Sequence, residues 1–283
     1  MTGKELLFAF VVPLAIGAAL FALAWRPRAP GRPNRRGWAG ALALAGAMVT
    51  TYILIHGRPG LVPHEKWIWI VHLAALAGLL GVIDSLLMLR GWSRSIVGVG
   101  LAGAAGWALP VFDNPWAWRG AVAVCVLAYW SMLDPLAMRN RGLSLAAVLS
   151  ATMLSAGVLI FCSGWLKLAQ LAVAIGAAAL PAISFEWRFG RGVLARGGTA
   201  VAAALLPFML IMSWIYMTHN ESASVSPIAF IALAAAPLLP WLGESAPLTG
   251  LSHGKVRVAE TALFLAAIAL SLGLGIYAII RSP

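Results

Sequence analysis

Charge is what this sequence has least of. Only 10% of its 283 residues are Asp, Glu, Lys or Arg, against about 25% in an ordinary soluble domain. That is too few to cover a water-facing surface, which excludes a soluble globular fold. Acids are scarcer than bases, with 9 Asp and Glu against 20 Lys and Arg. Cysteine is limited to Cys125 and Cys162. They form no CxxC pair and read as inert membrane cysteines.

Several catalytic patterns are missing as well. There is no HxxxH or HExxH, so the helical zinc signature is absent. There is no DxxxD, the carboxylate spacing that would gather Mg²⁺ for diphosphate chemistry. In "FCSGW", Ser163 could pair with His219 two helices on, but a GxSG nucleophile motif would need glycine where this chain has Phe161. The alternating segments of about ten residues that build a transmembrane β-barrel do not occur.

What the chain does have is apolar sequence. It is 61% hydrophobic, with a mean hydropathy of +0.90, in runs that reach the roughly 17–25 residues a spanning helix needs. The fold class expected is all-α: a polytopic integral membrane helix bundle forming one transmembrane domain over residues 1–283. Ten spans are expected, near 5–25, 38–56, 67–89, 94–112, 117–138, 143–163, 165–186, 197–218, 226–243 and 257–280. "ALA" at 22–24 resembles a signal-peptidase site, but the arginines that follow oppose export, so the first span is expected to be retained.

Counting bases in alternate loops orients these spans. One side carries fourteen Arg and Lys, including Arg26, Arg28, Arg32, Arg35, Arg36, Arg90, Arg94, Arg188 and Arg196. The other carries six: Lys4, Arg58, Lys66, Arg119, Lys167 and Arg281. Positive residues stay in the cytoplasm. Both termini are therefore expected on the non-cytoplasmic side, in a bacterial inner membrane. Tryptophans at both span ends form the aromatic belts of the two interfaces, while Trp130 and Trp214 fall deeper. The net charge of +11 is spent on topology, so nucleic acid is not an expected partner. The bilayer is the expected partner, with anionic lipid beside the arginines of residues 26–36. A membrane protein partner or a second copy could pack on the Gly/Ala faces. One such face, Gly98, Ala102 and Gly106, marks the fourth span as a central, tightly packed helix.

Four acids carry the functional interest. Asp84 lies seventeen residues after Trp67, about 25 Å along a helix, which places it at the cytoplasmic edge of the hydrocarbon. Asp134, Glu186 and Glu260 fall at a similar depth. Spans three, five and seven repeat one layout: an outer tryptophan, then an acid, then an arginine. The four acids could line a cytoplasm-open cavity for a proton, a cation or a basic group, or pair with the arginine-rich surface. Asp134 could also cap a short helix beginning at Pro135. On the opposite side, His56, His72 and His219 could ligate a metal or a haem between helices, although no cofactor is expected.

Three functions follow in order. The first is a small-solute or ion permease, the second a non-catalytic membrane subunit or scaffold, the third a membrane enzyme or haem-binding redox protein.

Overall fold

The computed structural model describes residues 3–24, 36–60, 62–63, 65–110, 115–138, 143–189, 192–220, 225–244 and 252–281. Arg26, Arg28, Arg32, Arg35, His64, Arg139, Arg141 and Arg191 lie outside them.

Ten helical segments and no strand run through the described residues. They are α1 (Gly3–Ala24), α2 (Gly37–His56), α3 (Trp69–Leu87), α4 (Trp92–Ala108) and α5 (Pro115–Met138). Then follow α6 (Leu145–Cys162), α7 (Leu166–Phe189) and α8 (Gly197–Asn220). Next are α9 (Pro227–Ala235), continued by a 3₁₀ segment Ala236–Glu244, and α10 (His253–Arg281). Each expected span has its counterpart, but 8 of the helices are long and apolar enough to cross a membrane. The shortfall has visible causes. α4 has 17 residues and opens on the polar "WSRS". α9 tightens into a 3₁₀ helix at Ala236, just before Pro237 removes a backbone donor.

Prolines elsewhere leave carbonyls that side chains then satisfy. In α1, a π-turn at Leu7–Val11 shifts the bonding to i→i−5, so Val12 donates to the Leu7 carbonyl. The next donor in that pattern would be Pro13, which has none. The stranded Phe8 carbonyl instead accepts from Thr51 Oγ1 on α2 at 3.0 Å. The Ala234 carbonyl, three residues before Pro237, accepts from the Tyr129 hydroxyl of α5. Pro135 does not start a new helix: α5 runs through it to Met138, and Trp241 Nε1 donates to the nearby Met132 carbonyl at 3.1 Å.

The core sits around α8, which packs on α2, α3 and α5. Its small residues, among them Ala200, Ala202, Ala203 and Ala204, are buried all round. This corrects the expectation that the fourth span is central. α4 uses its small stripe as expected, with Gly98 against Trp130 and Gly106 against the Arg119 carbonyl of α5. One stripe buries only one face, however, and Trp92, Ile96, Val99 and Trp107 remain exposed. α4 is a peripheral helix.

Three backbones meet near the end of α3 and the starts of α2 and α8. A Cβ on Gly197 would stand 2.0 Å from the Gly37 carbonyl oxygen, and one on Gly37 2.3 Å from that of Ala195. A Cβ on Gly81 would stand 2.7 Å from the Gly197 carbonyl oxygen. No side chain fits between these chains. Gly197→Ala is therefore expected to abolish the monodisperse peak in detergent size-exclusion chromatography. Gly103→Ala, with nothing within 4 Å of the new methyl, is expected to fold, with stability raised by up to about 1 kcal/mol.

Candidate functional site

The loop before α8 brings the charges together. Arg196 precedes Gly197 and adopts a left-handed backbone, φ 62°, a conformation that disfavours non-glycine residues by about 1–2 kcal/mol. Its backbone N–H donates to Asp134 Oδ1, and Thr199 Oγ1 donates to the same oxygen at 3.1 Å. The carboxylate thus holds the strained turn that aims the Arg196 side chain. That guanidinium reaches Asp84 Oδ1 at 3.3 Å and the Leu89 carbonyl at 3.1 Å.

A second arginine closes the group. Arg94, in the first turn of α4, places Nη2 at 2.9 Å from Asp134 Oδ2. Its Nε lies 3.4 Å from Asp84 Oδ2, close enough for charge pairing but not aligned as a hydrogen bond. Asp84 is 0% exposed and Asp134 7%. Two carboxylates and two guanidinium groups therefore form a charge-neutral network joining α3, α4, α5 and the start of α8. Burying the two carboxylates is costly, and attraction to the partly exposed guanidinium groups compensates only when the geometry is well satisfied. Here every carboxylate oxygen has a cationic or hydrogen-bonding neighbour.

Glu186 and Glu260 belong to a different group at the same end of the bundle. Glu260, 0% exposed, accepts from the Leu143 backbone N–H at 2.8 Å. Glu186 accepts from Ser144 Oγ. Ser144 is itself the N-cap of α6, accepting from the Ala147 N–H. Two carboxylates thus meet the positive end of the α6 dipole, where negative charge is stabilising. The four acids divide into two pairs with separate partners. Within the tryptophan–acid–arginine layout of α3, α5 and α7, Asp84 and Asp134 share Arg94, while Glu186 accepts from the N-cap serine of α6.

The histidines are dispersed into local contacts. His56 packs between Tyr52, tilted at 51°, and Trp67, edge-on at 87°, with ring centroids 5.3 and 5.7 Å away. His72 lies 5.2 Å from Trp69 beside a small cavity of about 140 Å³ that also touches Trp107. His219 Nδ1 is 2.9 Å from the Ile215 carbonyl of its own helix. Among the described residues, no group of three or more His, Cys, Asp or Glu could hold a metal ion. Ser163 finds Ser213, oxygen to oxygen at 2.7 Å, as its side-chain partner.

Sequence reasoning missed Arg94, Arg196 and Thr199. Both arginines read as loop charges that set topology. A weak signal existed in "ARGGT": an arginine directly before two glycines and a helix-starting threonine marks a tight, backbone-close turn. Comparison with known protein families, curated proteins and solved structures finds no match to this chain.

Glu260→Ala is expected to lower stability by about 1.5–3 kcal/mol, the range for a hydrogen bond to a charged group. Glu260→Gln, which keeps an acceptor, should lose less. Thermal unfolding in mild detergent reads the difference, and equal losses would count against the α6 N-terminal contact.

Proposed function

We propose that this chain is a ten-span inner-membrane protein with both termini on the non-cytoplasmic side. We further propose that it acts as a non-catalytic membrane subunit or scaffold. The observation that carries this reading is the pairing of Asp84 and Asp134 with Arg94 and Arg196. A carboxylate that loads and releases a proton or cation needs a changeable partner. These two are held by guanidinium groups, by a backbone N–H and by a hydroxyl, beside the backbone contacts of α2, α3 and α8 at Gly37, Gly81 and Gly197. Such an arrangement fixes helices relative to one another. The loop-by-loop excess of bases on one side supports the orientation, and the arginines of residues 26–36 would then lie beside anionic cytoplasmic lipid.

A small-solute or ion permease is the second reading. A groove of about 810 Å³ that reaches Arg94 favours it, since it brings one member of the network to an opening.

Reconstitution separates the two. Asp84→Asn and Asp134→Ala are measured in liposomes for proton and cation flux and in detergent for melting temperature. The subunit reading expects flux no higher than in empty liposomes and a large drop in stability, about 3–5 kcal/mol for a broken buried pair. Flux through the unsubstituted protein, lost in Asp84→Asn at unchanged melting temperature, would replace it with the permease.

A further inference from the structure

The groove beside Arg94 has chemistry of its own. It runs between α4 and α5 and is lined at one end by Gly91, Arg94, Ser95 and Ser131. The two helices are antiparallel here, so its walls continue together away from the charged layer. The lining then becomes apolar, through Val99 on α4 and Leu127 and Val124 on α5. From Ser131 to Val124 is seven residues, about 10 Å of helix. The groove is therefore graded from polar to apolar along the bundle axis.

Its shape is built in. Trp130 packs against α4 at Gly98, where a Cβ would come within 2.9 Å of the indole nitrogen. The Arg94 guanidinium sits over that indole, 5.5 Å from the ring centroid. Arg94 has five N–H donors, and its contacts with the aspartates engage Nε and Nη2 only. Its side chain is 25% exposed. Arg90, exposed, directly precedes Gly91 at that end. The mouth of the groove therefore presents a partly exposed cation, and no acid is among its lining residues. The surrounding face is apolar: Trp92, Ile96, Val99 and Val124 are all exposed. Trp92 stands at the same level as Arg94, where an interfacial tryptophan belongs.

We propose that this groove binds one anionic phospholipid, with the headgroup phosphate at Arg94 and an acyl chain lying along Val99, Leu127 and Val124. Both halves of the ligand are specified by the wall they meet. The cationic mouth selects the negative headgroup, and the apolar end takes the chain. The site needs the chain to span a membrane but is independent of whether it carries a solute.

The test uses the full-length protein purified in mild detergent and delipidated. Phosphatidylglycerol and phosphatidylcholine of identical chains are titrated separately, as is inorganic phosphate. Native mass spectrometry counts retained lipid, and thermal unfolding reports stabilisation. The expected result is one retained phosphatidylglycerol and a rise in melting temperature that phosphatidylcholine matches only weakly and phosphate not at all. Arg94→Gln should reduce the preference for phosphatidylglycerol about fivefold, as loss of one cation near an anionic headgroup implies. Because Arg94 also holds the aspartates, a second variant is decisive: Val124→Trp fills the apolar end and leaves the charges alone. It should fold normally and fail to retain the lipid. Equal retention of the two lipids, equal stabilisation by phosphate, or unchanged retention in Val124→Trp would each overturn the proposal.

Discussion

Two buried aspartates share two partly exposed arginines, and the helices around them are placed by the need to keep those four charges together. A lone ion at this depth is strongly disfavoured. Each therefore has to arrive with its partners, and the partners come from four different parts of the chain. Asp84 comes from the end of α3, Arg94 from the start of α4, Asp134 from the end of α5 and Arg196 from the turn into α8. Meeting that requirement fixes how far each helix extends and which way its end faces. The glycines follow from it. Gly37, Gly81 and Gly197 let the backbones of α2, α3 and α8 close up beside the network, where bulkier residues would hold the helices apart. The left-handed backbone of Arg196 follows too, since only that turn sends its N–H and its guanidinium to two carboxylates at once.

A similar economy governs the prolines. A carbonyl that loses its helical donor inside a membrane has no water to turn to. Thr51 serves the carbonyl freed by Pro13, and Tyr129 serves the one before Pro237. Both donors come from another helix. Each kink is therefore also a tertiary contact, and the irregular segments help to register α1 on α2 and α9 on α5.

Much of this was legible from the residues in order. Apolar run length located every helix, because a hydrophobic stretch of this length has few other uses. Distance from Trp67 and Trp116 singled out Asp84 and Asp134 as acids near one end of their helices, and the structure brings those two onto shared arginines. What failed was rotation and partnership. A span that is apolar all round gives no signal of which face is inward, so Arg94 looked the same as any loop arginine. The Gly98–Gly106 stripe correctly named a contact face but could not say that α4 had only one. Asp134 followed by Pro135 looked like a helix start, yet α5 continues because that carboxylate is engaged by Arg94, Arg196 and Thr199 rather than by its own backbone. The sequence pattern described each helix well, and the pairing between distant helices was invisible to it.

A double-mutant cycle on Arg94 and Asp134 tests most directly whether the charge network organises the bundle. Arg94→Gln, Asp134→Asn and the combined variant are compared by reversible unfolding in mixed micelles. If the four charges act as one unit, each single variant leaves its partner's charge uncompensated and loses far more stability than half of the double variant's loss. The coupling should exceed about 1 kcal/mol, above the error for independent sites. Losses that simply add would contradict it, and would leave the glycine contacts, rather than the charges, as the constraint that holds the helices in place.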